Sequence, residues 1–337
     1  MTNATIGRED LTAWGITLLL LLGILQLQLL PSLIAALLVY VLVNRLTPLL
    51  ANRWLRGEGP RLLAVSLIAM GVIAVILAVG MAVASLLRES NESLPALVGR
   101  MAEIIEHSRQ KLPEWLLDYV PSDADDLRKM TVHWLREHAQ FFQVAGTGLG
   151  RALAHILLGM VIGGLLSLEA AIPASTRPPL AASIARIGHR LADAFRRVVF
   201  AQVWISALNT FFTGVFLTLV LPQFGIQLPF TKTLIVVTFV AGLLPILGNL
   251  ISNTVIFVVS LSHSLGVALV VLAYLIVIHK LEYFLNARIV GAHISARAWE
   301  MLTAMLVMEA AFGIPGLIAA PIYYAYFKSE LRARALV

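Results

Sequence analysis

Gln202, Ser206, Asn209 and Thr213 recur at i, i+4, i+7 and i+11 inside the apolar run from Val198 to Leu221. On a helix that spacing puts all four on one face. Such a face either hydrogen-bonds a neighbouring membrane helix or lines a path for a polar solute. His279, Glu282 and Asn286 fall at i, i+3 and i+7 in the later run 267–285, with Lys280 to one side. Ionisable groups inside a membrane mark pathways and proton relays, but these four lie toward one end of their run and could equally anchor it. Glu309 stands about eight residues into the apolar stretch 301–327, ~12 Å along a helix. A lone carboxylate there must face a cavity, pair with Lys280 or an arginine, or be protonated. Coupling to a proton or cation and a structural tie are both open to it. Asn249 and Asn253 are one turn apart with Ser252 beside them, and their amides suit a polar solute or freed backbone groups.

No enzyme motif accompanies these residues. HExxH and GxSxG are absent, and Gly146-Thr-Gly-Leu-Gly-Arg lacks the Lys-Ser/Thr ending of a phosphate-binding loop. With no cysteine, disulfides, thiolate catalysis and Cys-zinc sites are excluded. Neither a catalytic residue nor a metal or other cofactor is expected.

The elements that position these residues are membrane helices. Of the 337 residues 59% are hydrophobic and only 13% charged, a composition far more apolar than that of soluble domains. The mean hydropathy is +0.87. The excess of 25 Lys+Arg over 19 Asp+Glu falls in short loops, which signals topology rather than nucleic-acid binding. Six apolar runs are long enough to cross a ~30 Å core: 11–30, 33–50, 62–87, 152–171, 198–221 and 267–285. The first is too long for a signal-peptide core and continues into another span. Leu-Pro-Ser is expected to join the first two.

Loop charge sets the orientation. Segment 45–61 carries four arginines against Glu58, and 172–197 carries five against Asp193, so both should be cytoplasmic. Segment 286–300 and the tail, with Lys328, Arg332 and Arg334, read the same way. Segment 88–150 has ten acidic residues against seven basic and should lie outside. Parity then requires 231–262 and 301–327 each to begin and end on one side. Each is broken midway, by GLLPILGNLISN (Gly242–Asn253) and by FGIPGLI (Phe312–Ile318). Proline removes a donor and glycine permits unusual bends. Irregular backbone at membrane depth is tolerated only around protein or a water-filled cavity, and paired interruptions of this kind point to a transporter's binding site. Two re-entrant helical hairpins are therefore expected, with bends at Pro245–Gly248 and at the Gly313–Gly316 tip containing Pro315. Each follows a span, with opposite polarity, which suggests an inverted repeat; two kinked helices are the plainer alternative.

Outside the membrane, 88–150 reads as a small helical region packed as a cap. Segment 178–200 is a basic amphipathic helix, with the stripe Leu180, Ile184, Ile187, Leu191, Phe195 and Val198 set apart from Arg186, Arg190 and Arg197. Such a helix suits the inner interface and anionic lipid. The expected division is 1–87 with spans one to three, 88–150 external, and 151–337 as the transporter core.

Four stretches together resemble one family, the autoinducer-2 exporters or PerM-like permeases: RIGHRLADAFRRVVFAQ (Arg186–Gln202), GLLPILGNLISN, LEYFLNARIVGAHISARAWEML (Leu281–Leu302) and FGIPGLIAAPIYYAYF. The likeness covers 184–327 well and the first three spans more loosely. Asn249 stands where that family commonly has proline and Leu244 where it has isoleucine, while Ser295-Ala296-Arg297 replaces an approach to histidine-proline. The resemblance implies export of small molecules, with autoinducer-2 as the name-giving substrate. It also implies that relatives can be sodium(lithium)/proton antiporters and that the assembly is a homo-oligomer, a pentamer.

The resulting expectation is an all-α polytopic protein of the bacterial inner membrane, both termini cytoplasmic, surrounded by lipid. It would export a small polar solute past hairpin tips that meet near the midplane, with no nucleic-acid partner. An antiporter of protons and sodium is the alternative, resting on Glu309 and Glu282. A scaffold or receptor acting through 88–150 is the third reading.

Overall fold

Leu27-Gln28-Leu29 separates the first two helices, and Gln28 sits there with φ of 57°. The computed structural model describes residues 8–51, 58–74, 77, 81, 129, 133, 136, 137, 139–169, 177–244, 247–294 and 297–334. Among them every regular element is helical. Helix α1 is Arg8–Gln26, α2 is Leu30–Leu50 and α3 is Gly59–Ala74. The expected Leu-Pro-Ser turn is thus corrected: Pro31 lies in the first turn of α2, where its missing N–H costs nothing and its φ is already helical.

Helix α4 is Ala139–Glu169 and α5 is Pro179–Val215. The π-turn Phe216–Val220 carries α5 onward to Gln223. The amphipathic segment and the fifth span therefore form one helix, because no glycine or proline separates Arg197 from the apolar residues that follow. At about 1.5 Å per residue such a helix exceeds the ~30 Å hydrocarbon core, so its charged start extends past it. Helices α6 (Thr231–Gly242) and α7 (Leu247–Leu261) precede α8 (Leu265–Ile294) and α9 (Ala298–Ala333). Helix α8 runs beyond the expected end of the sixth span.

The chain divides into two units, the first made of Met1–Leu77, Gly146–Phe200 and Val290–Val337. In it, Gly159 and Gly163 of α4 lie against the backbone of Ser32 and Ala36 of α2. Small residues four apart let membrane helices approach to backbone contact. A Cβ at Gly163 would come within 2.3 Å of the Ala36 carbonyl oxygen. The amphipathic stripe of α5 is buried at Ile187, Leu191 and Phe195, together with Leu21 of α1 and Ile322 and Tyr326 of α9.

Helix α9 is two limbs. Gly313 has φ 64° and ψ −147°, a region open essentially to glycine alone. A Cβ at Gly316 would sit 1.9 Å from the Met308 carbonyl oxygen, an approach possible only if the chain doubles back. Tyr324 Oη donates to Glu300 Oε2 at 2.6 Å across 24 positions, which on a straight helix would lie ~36 Å apart. The expected break at Phe312–Ile318 is a helical hairpin, closed at its base by Glu300, Tyr324 and Lys328.

The second unit comprises Ala78–Ala145 and Ala201–Ile289. Its core packs Phe216, Leu217 and Leu221 with Leu234, Ile256, Val271 and Leu275. Helices α6 and α7 pack on one another as a hairpin. The helices part between Gly242 and Leu247, and α7 already holds Leu247 and Gly248, the last two residues of the expected bend. Pro245 lies outside the described residues, as does most of 88–150, whose end from Ala139 onward is the start of α4.

Candidate functional site

The break between α6 and α7 leaves carbonyls at the end of α6 without helical partners, the usual condition of a helix C-terminus. The polar face of α5 supplies some of the missing donors. Gln202 Nε2 donates to the Gly242 carbonyl at 2.7 Å. Ser206 Oγ donates to the Phe239 carbonyl at 2.6 Å. Gly242 has no room for a side chain, since a Cβ would lie 2.6 Å from Ser206 Oγ. Across the bend, a Cβ on Gly248 would meet the Ala241 carbonyl oxygen at 2.1 Å. The two limbs meet backbone to backbone, and only glycine allows it.

One turn further along α5, Asn209 Nδ2 donates to Asn249 Oδ1 at 3.0 Å. The Asn249 amide in turn lies 3.3 Å from His279 Nδ1 on α8. Asn209 is buried, and so are Ser206 and Thr213. Three helices of this unit are thus joined by an amide–amide–imidazole chain beside a helix break. Tyr274 adds a second tie: its ring stacks on Phe216 at 3.7 Å and its hydroxyl donates to the Phe212 carbonyl. Sequence reading passed over Tyr274, although a tyrosine in an apolar run normally needs a partner for its hydroxyl.

Burial is inverted relative to a soluble protein. Buried Ser206, Asn209 and Thr213 contrast with outward Trp204 and Phe211, each 62% exposed on the same helix. An apolar outer surface of this extent belongs against lipid.

The remaining candidates are placed less centrally. Asn253 is half-buried and finds no hydrogen-bond partner among the described residues. Lys280 is exposed. The side chains of Glu282 and Asn286 lie outside the described residues, though both positions are within α8. Glu309 is exposed on the first limb of α9, beside Leu306 and Val307 at 68% and 60% exposure. Neither Lys280 nor an arginine pairs with it among the described residues. Pro315 and Gly316 follow the Gly313 bend, Gly316 buried in the angle.

A charged cluster in the first unit escaped sequence reading. Trp14 Nε1 donates to Glu330 Oε1 at 2.9 Å, and Arg190 Nη1 to Glu330 Oε2 at 2.6 Å. Asp10 accepts from Ser183 Oγ and lies 3.4 Å from Arg186 and 3.2 Å from Arg334. Arg334 also covers the Trp14 ring at 4.5 Å. Of the three arginines expected near anionic lipid, Arg186 and Arg190 reach protein carboxylates. The cluster joins residues over 300 positions apart, so no local pattern announces it.

Five described helices, Arg8–Gln26, Leu30–Leu50, Gly150–Glu169, Pro179–Gln223 and Trp299–Ala333, are long and apolar enough to cross a membrane, the last being the folded α9. Among known proteins, a 139-residue stretch, 40% of this chain, is 31% identical to the Bacillus subtilis (strain 168) protein named "Putative transport protein YdbI". The match spans 37% of that protein's length. The family described as "AI-2E family transporter" matches residues 14–334. A match running from within α1 to the residue after α9 leaves almost nothing aside: the protein is a multi-pass membrane protein and belongs to the AI-2E transporter family.

Proposed function

We propose that this protein exports a small polar solute or signalling molecule, autoinducer-2 being the candidate its family suggests, by a secondary or facilitated mechanism. The observation that carries this reading is the Asn209–Asn249–His279 chain set at a helix break inside an apolar shell. Buried amides in lipid are costly unless partnered, and a break that exposes them serves a path better than it serves stability. Gln202 and Ser206 hold the hairpin, Thr213 continues their buried face, and Asn253 offers an unused amide to the solute.

In this reading both hairpins are re-entrant. Helices α6 and α7 have 12 and 15 residues, about 18 and 22 Å at helical rise, each short of the ~30 Å core. The first limb of α9, ahead of Gly313, is equally short. The second half of α5 with its hairpin and α8 with α9 form the inverted repeat, in a homo-oligomer of the bacterial inner membrane with cytoplasmic termini.

Cation/proton antiport is the second reading. It is favoured by Glu309, an exposed carboxylate on an apolar limb with no ion pair among the described residues.

Proteoliposomes containing wild type, Asn249→Ala or Glu309→Gln, loaded with a pH-sensitive dye, separate the two. Export requires labelled solute to cross with wild type and to slow at least tenfold with Asn249→Ala, irrespective of a sodium or lithium gradient. Proton movement that follows the cation gradient and disappears in Glu309→Gln establishes antiport instead. Solute flux equal in wild type and Asn249→Ala rules out the proposed pathway.

A further inference from the structure

Tyr40, Asn44 and Arg45 at the end of α2 face His189, Asp193 and Arg196 of α5 across a cleft of about 320 Å³. All six belong to the first unit. The cleft plays no part in the pathway proposed above, and it is the size of a small-ligand site.

Its chemistry favours an anion. Arg45 is exposed and has no partner among the described residues. Arg196 reaches only Asp193, at 3.5 Å, with Asp193 itself 58% exposed. That contact satisfies one of the five donors of a guanidinium and leaves the cleft with an uncompensated positive charge. Tyr40 Oη and His189 Nδ1 lie 3.0 Å apart and add a hydroxyl and an imidazole to the wall. Behind the wall Arg61 donates through Nη2 to Asn44 Oδ1 at 3.3 Å. The Arg61 Nε is buried without any hydrogen-bond partner, so a third guanidinium backs the site. Two arginines, and the one proton that the Tyr40–His189 hydrogen bond leaves free, are donors that recognise phosphate oxygens.

We propose that this cleft binds a phosphate ester. Loop charge assigns the end of α2 and the start of α5 to the inner surface, where phosphate is presented either by anionic lipid headgroups or by soluble phosphate esters. The site fixes the contact between α2 and α5 when it is filled.

The test uses the full chain in a neutral detergent and follows its thermal unfolding during titration with dioctanoyl phosphatidylglycerol. Saturable stabilisation of wild type is expected, with the half-saturating concentration raised about tenfold in Arg45→Gln and in Arg196→Gln, equivalent to about 1.4 kcal/mol each. Arg8→Gln, an exposed charge outside the cleft, leaves it unchanged. Glycerol phosphate at millimolar concentration identifies the source. Displacement of the lipid assigns the site to soluble phosphate esters, and no displacement assigns it to the headgroup. Equal titrations for wild type and both cleft variants, or equal stabilisation by dioctanoylglycerol, which carries no phosphate, overturn the proposal. Tyr40→Phe provides a second variant of small structural cost, expected to weaken binding severalfold.

Discussion

Asn209 is where one residue's two roles can be separated. Its amide donates to Asn249, and interhelical hydrogen bonds in membranes contribute only about 0.6 kcal/mol on average. Asn209→Leu should therefore leave the melting temperature within a few degrees of wild type. If the amide chain lines the pathway, solute flux in proteoliposomes falls at least tenfold in the same variant. A flux that merely tracks stability would reduce Asn209 to a tie between helices. Ser206 is different, because its hydroxyl already caps the Phe239 carbonyl. Ser206→Ala should destabilise by about 1 kcal/mol, measured by thermal unfolding in detergent, while Ser206→Thr crowds Gly242 as well. The period of this polar face was legible in the sequence. Its acceptors were not, since they lie 33 and 40 positions away.

At the scale of elements, the two hairpins depend on glycines for different reasons. Gly248 is needed for space, because its neighbour is the α6 backbone. Gly248→Ala forces the limbs apart and should cost about 1–3 kcal/mol, the usual range for overpacking. Gly313 has open space around it but needs its dihedral angles. Gly313→Ala should cost about 1–3 kcal/mol through backbone strain alone. Fluorescence-detected unfolding of both variants checks the costs. A distance between spin labels at Trp299 and Phe327 tells them apart from a straightened α9, in which the labels would move to ~42 Å. Both breaks could be read from proline and glycine in apolar runs. The continuity of α5 could not, since charge composition changes at Arg197 although helix propensity does not.

For the molecule as a whole, the charged cluster around Glu330 decides where the two ends of the chain rest. Glu330 is buried and accepts from Trp14 and Arg190 together. Glu330→Ala leaves both donors unpaired and should lower stability by about 1–3 kcal/mol. Arg190→Ala in the Glu330→Ala background should then cost less than it does in wild type, a coupling that a double-mutant cycle reads directly. The loss should also loosen both chain ends, seen as faster hydrogen exchange at 8–14 and 328–334.

Composition and period alone determined that the chain is helical, that it lives in a membrane, and that Gly242–Asn253 and Phe312–Ile318 interrupt their apolar runs. These properties are set by local chemistry: apolar run length against bilayer thickness, and the backbone freedom of glycine and proline. Only the tertiary structure decided which polar groups satisfy each other. The Asn209–Asn249–His279 chain, the Glu330 cluster and the Arg45–Arg196 cleft each join residues from helices distant in sequence. Their energies depend on distances of a few ångströms that no spacing along the chain encodes.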